Sequence, residues 1–175
     1  IPVNRKIPEF GGRIQVPVPR GEVAFTYHHR IADSREAGGT VPSFEKIPEN
    51  KFGLDAKWDL KTGLWIEGSY TRKGKDLGTL TNQLVMNAGI DYTFKAGNGL
   101  YVACENLLAT FDEKAFAFSN RLFFSMFSAS YPVGLFDKLG AILYYNWTGN
   151  DFYSFISWQR QFDNIVLYFI AYMNP

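Results

Sequence analysis

The chain has 175 residues and a formal net charge of +1, with 18 Lys and Arg against 17 Asp and Glu, so nothing in its charge indicates a nucleic-acid partner. Aromatic residues make up 17% of the chain and Gly occurs 16 times, a composition that favours strands joined by turns. The single Cys104 excludes an internal disulfide and a Cys-cluster metal site, and no sequence pattern implies a metal or a cofactor.

Ten strand-like segments follow one another along the chain, and no segment of useful length has the period of a helix. Their connections alternate between tight turns, such as 60–63 and 95–99, and longer segments, such as 33–49. The tight turns of an outer-membrane β-barrel lie at one rim and its longer loops at the other. The predicted strands are 12–19, 21–32, 50–60, 63–73, 82–95, 99–110, 120–133, 138–148, 152–161 and 165–173.

Strict alternation marks the third segment, where every second residue is apolar and the residues between them are mostly charged. An apolar face of this kind points either into the core of a soluble sheet or outward into lipid. Charged residues such as Lys57 and Asp59 cannot be buried in a dry interior, because the loss of hydration is too costly. They therefore face bulk water or line a wet lumen. The alternation of tight turns with longer loops, and the Tyr and Trp residues near the strand ends, favour the lumen.

The same alternation assigns individual residues to the two faces of the predicted barrel. The predicted lipid-facing residues are Phe52, Leu54, Trp58, Leu84, Met86, Ile90, Leu143 and Tyr145. The predicted pore-lining residues are Arg13, Arg30, Lys51, Asp55, Lys57, Asp59, Glu67 and Asp91. Because the pore-lining set has mixed signs, it predicts either weak ion selection or ion pairs that hold neighbouring strands together.

Three segments resemble the porin-type outer-membrane β-barrels of Gram-negative bacteria, in particular those of the Bacteroidota: "GEVAFTYHHR", "NKFGLDAKWDLKTGLWIEGSY" and "LVMNAGIDYTFKAGNGLYVACENLL". The resemblance covers most of the chain and lies in strand rhythm, so it carries over no functional residue. It implies an all-β, antiparallel, up-and-down transmembrane barrel in the bacterial outer membrane. It further implies a porin or channel for small solutes or ions, in contact with outer-membrane lipid. One departure is the C-terminal "AYMNP", since such barrels commonly end in a terminal aromatic residue.

Three other functions fit parts of the pattern. A soluble, lipocalin-like barrel would turn its apolar faces inward around a ligand. An outer-membrane lipid hydrolase would need His28 beside a Ser or Asp on an adjacent strand. A structural subunit of an outer-membrane assembly would explain why both faces are apolar from about residue 120 onward, where a plug or a protein partner would cover one side.

The order of tight turns and long loops also predicts that the ten strands belong to a larger barrel. If 12–19 ends at a tight turn, then both the first and the last strand have their outer ends on the long-loop side. Single-chain bacterial barrels have an even strand number and normally place both termini on the short-turn side. Residues 1–175 are therefore interpreted as a single β-barrel domain or the greater part of one, in an intact barrel of at least about 12 strands.

Overall fold

A computed structural model of the chain describes residue 2 and residues 7–35 and 41–174, and these residues form one antiparallel sheet of ten strands. Hydrogen-bonded neighbours in the sheet are also neighbours in sequence, so the topology is a simple up-and-down meander. The strands are β1 Phe10–Val18, β2 Gly21–Ala32, β3 Ile47–Asp59, β4 Gly63–Lys73, β5 Asn82–Phe94, β6 Leu100–Asp112, β7 Arg121–Pro132, β8 Asp137–Asn146, β9 Asp151–Gln161 and β10 Val166–Met173.

All ten predicted strands are confirmed, and their ends differ from the predicted ones by three residues or fewer. The up-and-down antiparallel order is also confirmed. The sheet is open in the described part of the chain, with β1 and β10 as its two edges. No helix long and apolar enough to cross a membrane occurs in residues 2, 7–35 and 41–174.

The connections keep the predicted alternation over most of the chain. Residues 19–20 and 60–62 form tight turns, whereas 33–46 and 74–81 are longer. The long connection after β2 was predicted to continue to residue 49, and this boundary is wrong because β3 begins at Ile47. Pro48 lacks a backbone N–H and therefore resembles a loop residue in the sequence. Residues 36–40 of this connection lie outside the described part.

The chain divides into two compact units, of which the first comprises residues 1–57, 66–87 and 108–121. Its apolar core is small and lies where β2 ends and β3 begins. Ala32, Ile47 and Leu77 are buried there, and Val41 and Phe44 from the long connection pack against them. The core is therefore built largely by connecting segments rather than by either face of the sheet.

Hydrogen bonds hold the long connection of the first unit to itself. The Ser34 hydroxyl donates to the Pro42 carbonyl at 2.6 Å, and the Phe44 backbone N–H donates to the Ser34 hydroxyl at 2.9 Å. At the start of the same connection, the Arg35 guanidinium donates to the carboxylate of Asp33 and lowers the pKa of that carboxyl group. These bonds give an otherwise irregular segment a defined path.

The second unit comprises residues 58–65, 88–107 and 122–175. Its turn at 95–99 is the predicted Gly-rich hairpin, and Gly97 and Gly99 have positive φ angles of 56° and 99°. The Asn98 side chain donates to the carbonyl of Pro132 at 3.0 Å and fastens this turn to the end of β7. At the edge of the unit, Trp158 of β9 stacks on Phe169 of β10 with ring centroids 5.3 Å apart.

Candidate functional site

The register of β1 and β2 sorts their side chains onto two faces of opposite character. Arg13 pairs with Thr26, and the next residue, Ile14, pairs with Phe25. Since neighbouring strand residues point to opposite sides, one face of this hairpin carries Arg13 and Thr26 and the other carries Ile14 and Phe25. We call these the polar face and the apolar face of the first unit.

The apolar face of the first unit is open to its surroundings. Ile14 is 70% exposed and Leu54 is 56% exposed, although both lie within strands. Tyr27 and Phe52 are in ring contact on this face, with centroids 5.3 Å apart. Large apolar side chains thus form a continuous, uncovered surface on β1 to β3. An exposed apolar surface of this kind usually marks contact with lipid or with another protein.

The polar face of the first unit holds a charged cavity of about 370 Å³. Cavities of this size fall at the lower end of the range for small-molecule sites. The strands β2, β3, β4 and β5 contribute to it, together with the 74–81 connection. Its lining residues are His28, Arg30, Glu49, Lys51, Thr71, Lys73, Leu80 and Gln83.

Glu49 is the centre of the ion pairs in this cavity, although it is only 5% exposed. Its Oε1 accepts a hydrogen bond from Arg30 Nε at 2.5 Å, and its Oε2 lies 3.8 Å from Lys73 Nζ. Lys73 is itself 4% exposed and donates from Nζ to the carbonyl of Leu80 at 2.7 Å. One carboxylate therefore compensates two cations that have little access to solvent.

His28 and His29 lie on opposite faces of β2. The Nε2 atom of His28 is 3.0 Å from the carboxylate of Glu9, whereas the Nδ1 atom of His29 is 2.9 Å from the amide oxygen of Asn50. The partner of His28 is therefore an acid, and the described residues that line its cavity include no Ser. The hydrolase hypothesis, which needs a Ser or Asp beside His28 on an adjacent strand, stays a prediction. No group of three potential His, Cys, Asp or Glu metal ligands occurs among the described residues.

In the second unit, Asp91 and Trp65 pack against glycines on the neighbouring strand. A Cβ on Gly63 would lie 2.7 Å from Asp91 Oδ2, and a Cβ on Gly89 would overlap the Trp65 indole. Each glycine thus leaves room for a side chain on the adjacent strand. Asp91 also lies close to the Tyr101 side chain.

Two further cavities of the second unit are lined mainly by aromatic and hydroxyl side chains. The first, of about 350 Å³, includes Tyr144, Tyr153 and Phe155. The second, of about 270 Å³, includes Ser128 and Ser157 together with a single cation, Lys138. The stretch from residue 120 onward, which has no clear alternation in sequence, therefore still presents small polar residues on one side.

The predicted pore-lining residues fall into four groups. Arg13 is joined to Asp55, while Arg30 and Lys51 line the charged cavity, and Asp91 contacts Tyr101 in the second unit. The remaining three are exposed and form no ion pair within the described part of the chain. These are Lys57, Asp59 and Glu67.

The predicted lipid-facing residues are all exposed or half-buried, and none belongs to the buried core. Their contact with lipid remains a prediction. The sequence interpretation missed the most buried charges of the site, Glu49 and Lys73. Both lie at strand ends next to long connections, where no alternation marks them. Glu49 and Lys73 could have been identified from the sequence as opposite charges at the facing ends of two adjacent predicted strands.

Searches with this chain found no matching protein-family model, no matching curated protein and no matching solved structure.

Proposed function

We propose that this chain forms strands of a bacterial outer-membrane β-barrel that acts as a porin or channel for small solutes or ions. In this proposal the apolar face contacts outer-membrane lipid and the polar face lines the aqueous lumen. The chemistry of the site requires no cofactor and no catalytic residue, because passage through such a pore is passive.

The observation that carries this proposal is the inverted polarity of the first unit. Buried side chains on its strands include Glu49 and Lys73, whereas apolar side chains such as Ile14 and Leu54 are exposed. A soluble lipocalin-like barrel has the opposite arrangement, with apolar side chains inside and charged ones outside. In water, the exposed apolar face would cause copies of the chain to associate, whereas in a bilayer it would contact the apolar lipid chains.

Conductance across a planar lipid bilayer tests the proposal directly. The native protein, extracted from its membrane in detergent, purified and added to the bilayer, is expected to produce discrete current steps, and heat-denatured protein at the same concentration is the control. Extraction from native membranes gives a second test, because a transmembrane barrel should require detergent. Release by salt or alkali alone, with no current steps in the bilayer, would contradict the proposal.

A structural subunit of an outer-membrane assembly is the second candidate function. It is favoured by β10, an edge strand on which both faces are exposed and mainly apolar, including Phe169 and Tyr172. An assembly of this kind predicts a native detergent-solubilised particle of several different chains and no current from the native protein once the other chains are removed. A porin predicts current without any other protein.

A further inference from the structure

We propose that the charged cavity of the first unit binds a small oxyanion, namely a phosphate or a carboxylate compound. This inference deepens the proposed function by naming the solute class that a channel of this kind would favour. It also concerns a site that is complete within the first unit, so that binding can be measured separately from transport.

The charge of the cavity favours an anion. Arg30, Lys51 and Lys73 contribute three positive charges, and Glu49 contributes one negative charge. The carboxylate of Asp55 is on the same face, but it is occupied by the Arg13 guanidinium. Arg30, Lys51, Lys73 and Glu49 together therefore leave a net charge of about +2 at this site.

The donors in the cavity suit the oxygens of a phosphate or carboxylate. Arg30 contacts Glu49 through Nε, and the two terminal nitrogens of a guanidinium form the fork that binds such oxygens in pairs. Lys51 is exposed and forms no ion pair with any described residue. Thr71 and Gln83 add a hydroxyl and an amide that can also donate hydrogen bonds. Arg30, Lys51, Thr71 and Gln83 are thus four potential donors around one water-accessible space.

Glu49 has a positioning role in this proposal rather than a binding role. Its carboxylate is turned toward Arg30 and Lys73, and so it fixes the cations without presenting a free negative charge to the solute. Lys73 contributes a positive electrostatic potential rather than a hydrogen bond to the oxyanion, because its ammonium group already donates to the Leu80 carbonyl. Lys51 is the most suitable residue for a test, since its exposed side chain makes no ion pair that its replacement would break.

The test is titration of the full chain in detergent micelles with inorganic phosphate and, separately, with succinate, measured by calorimetry at low ionic strength. Binding by the unaltered chain is expected, and Lys51→Gln is expected to weaken it about tenfold or more. Lys51→Glu should abolish it. Lys46→Gln is the matched control, because Lys46 is an exposed lysine five positions earlier that does not line the cavity, and it should bind like the unaltered chain.

The two ligands distinguish the sources of the oxyanion, since binding of phosphate alone indicates phosphate compounds and binding of succinate alone indicates dicarboxylates. Absence of binding to both, or equal weakening by Lys51→Gln and Lys46→Gln, would overturn the site. Absence of bilayer current with binding intact would instead overturn the proposed channel function and leave the oxyanion site standing. In a conducting channel, phosphate should also reduce the chloride current, and this block should weaken in Lys51→Gln.

Discussion

The guanidinium of Arg13 on β1 forms two parallel hydrogen bonds with the carboxylate of Asp55 on β3, at 2.7 and 2.6 Å, and so connects two strands that are not neighbours in the sheet. The intervening strand contributes Thr26, whose hydroxyl accepts a further bond from Arg13 at 3.3 Å. Paired hydrogen bonds between these two groups combine charge with a fixed geometry. This ion pair therefore links β1, β2 and β3 on the polar face.

Reversal of this ion pair gives the first prediction. Arg13→Asp and Asp55→Arg should each lower the urea midpoint of unfolding, because each places two like charges at the same position. The double variant should recover part of the loss, and the recovery should shrink at high salt because both groups are partly exposed. Strictly additive losses in the three variants would show that the two side chains are not coupled.

Removal of the buried carboxylate gives the second prediction. Glu49→Gln should lower the free energy of unfolding by about 3 kcal/mol, since Arg30 and Lys73 lose the charge that compensates them. Glu67→Gln is the matched control, because Glu67 is exposed and forms no ion pair within the described residues; it should change stability by less than about 0.5 kcal/mol. Equal effects in equilibrium urea unfolding would refute a central role for Glu49.

A charge on the apolar face gives the third prediction. Leu54 lies near the middle of β3, and Leu54→Arg should cost about 2–4 kcal/mol when the chain folds into lipid vesicles. Leu60 is also exposed but lies just beyond the end of β3, so Leu60→Arg should cost about 0–1 kcal/mol. Reversible unfolding from vesicles measures both values. If the two substitutions cost the same, β3 does not cross the hydrocarbon layer.

Packing between β4 and β5 gives the fourth prediction. Gly89→Ala would place a methyl group into the Trp65 indole, and such overpacking should cost about 1–3 kcal/mol. Gly12→Ala is the control, because no atom outside its chain neighbours lies within 4 Å of a Cβ at that strand position. The comparison uses the urea midpoint of unfolding. An unchanged midpoint in Gly89→Ala would mean that Trp65 packs elsewhere.

The sequence predicts the strands before residue 120 well because most of them alternate between apolar and polar residues over much of their length. In β3, the pattern from Phe52 to Trp58 is sufficient to assign both the strand and its faces. The same pattern fails at Pro48 and Glu49, where a strand continues through residues that are typical of a loop. Local periodicity therefore determines the middle of a strand better than its ends.

The candidate site was harder to predict, because its contacts depend on register between strands. Asp55 and Arg13 were both assigned to the polar face, but their pairing depends on how β1, β2 and β3 are aligned. The mixed charges on β3 predicted either weak ion selection or ion pairs between strands. The structure pairs Asp55 with Arg13, whereas Lys51 forms no ion pair with any described residue. Alternation gives the side of the sheet to which a charge points, but it does not give the partner of that charge.

The core formed by Ala32, Ile47 and Leu77 determines where foreign sequence can enter this chain. Phe44 and Val41 of the longest connection pack on that core, so a peptide tag inserted beside them would separate the residues that close it. The short turn at 133–136 contains Leu135, which is 94% exposed, and a Cβ on Gly134 would have open space around it. An epitope or a fluorescent label is therefore better accommodated between Gly134 and Leu135 than in the longest loop.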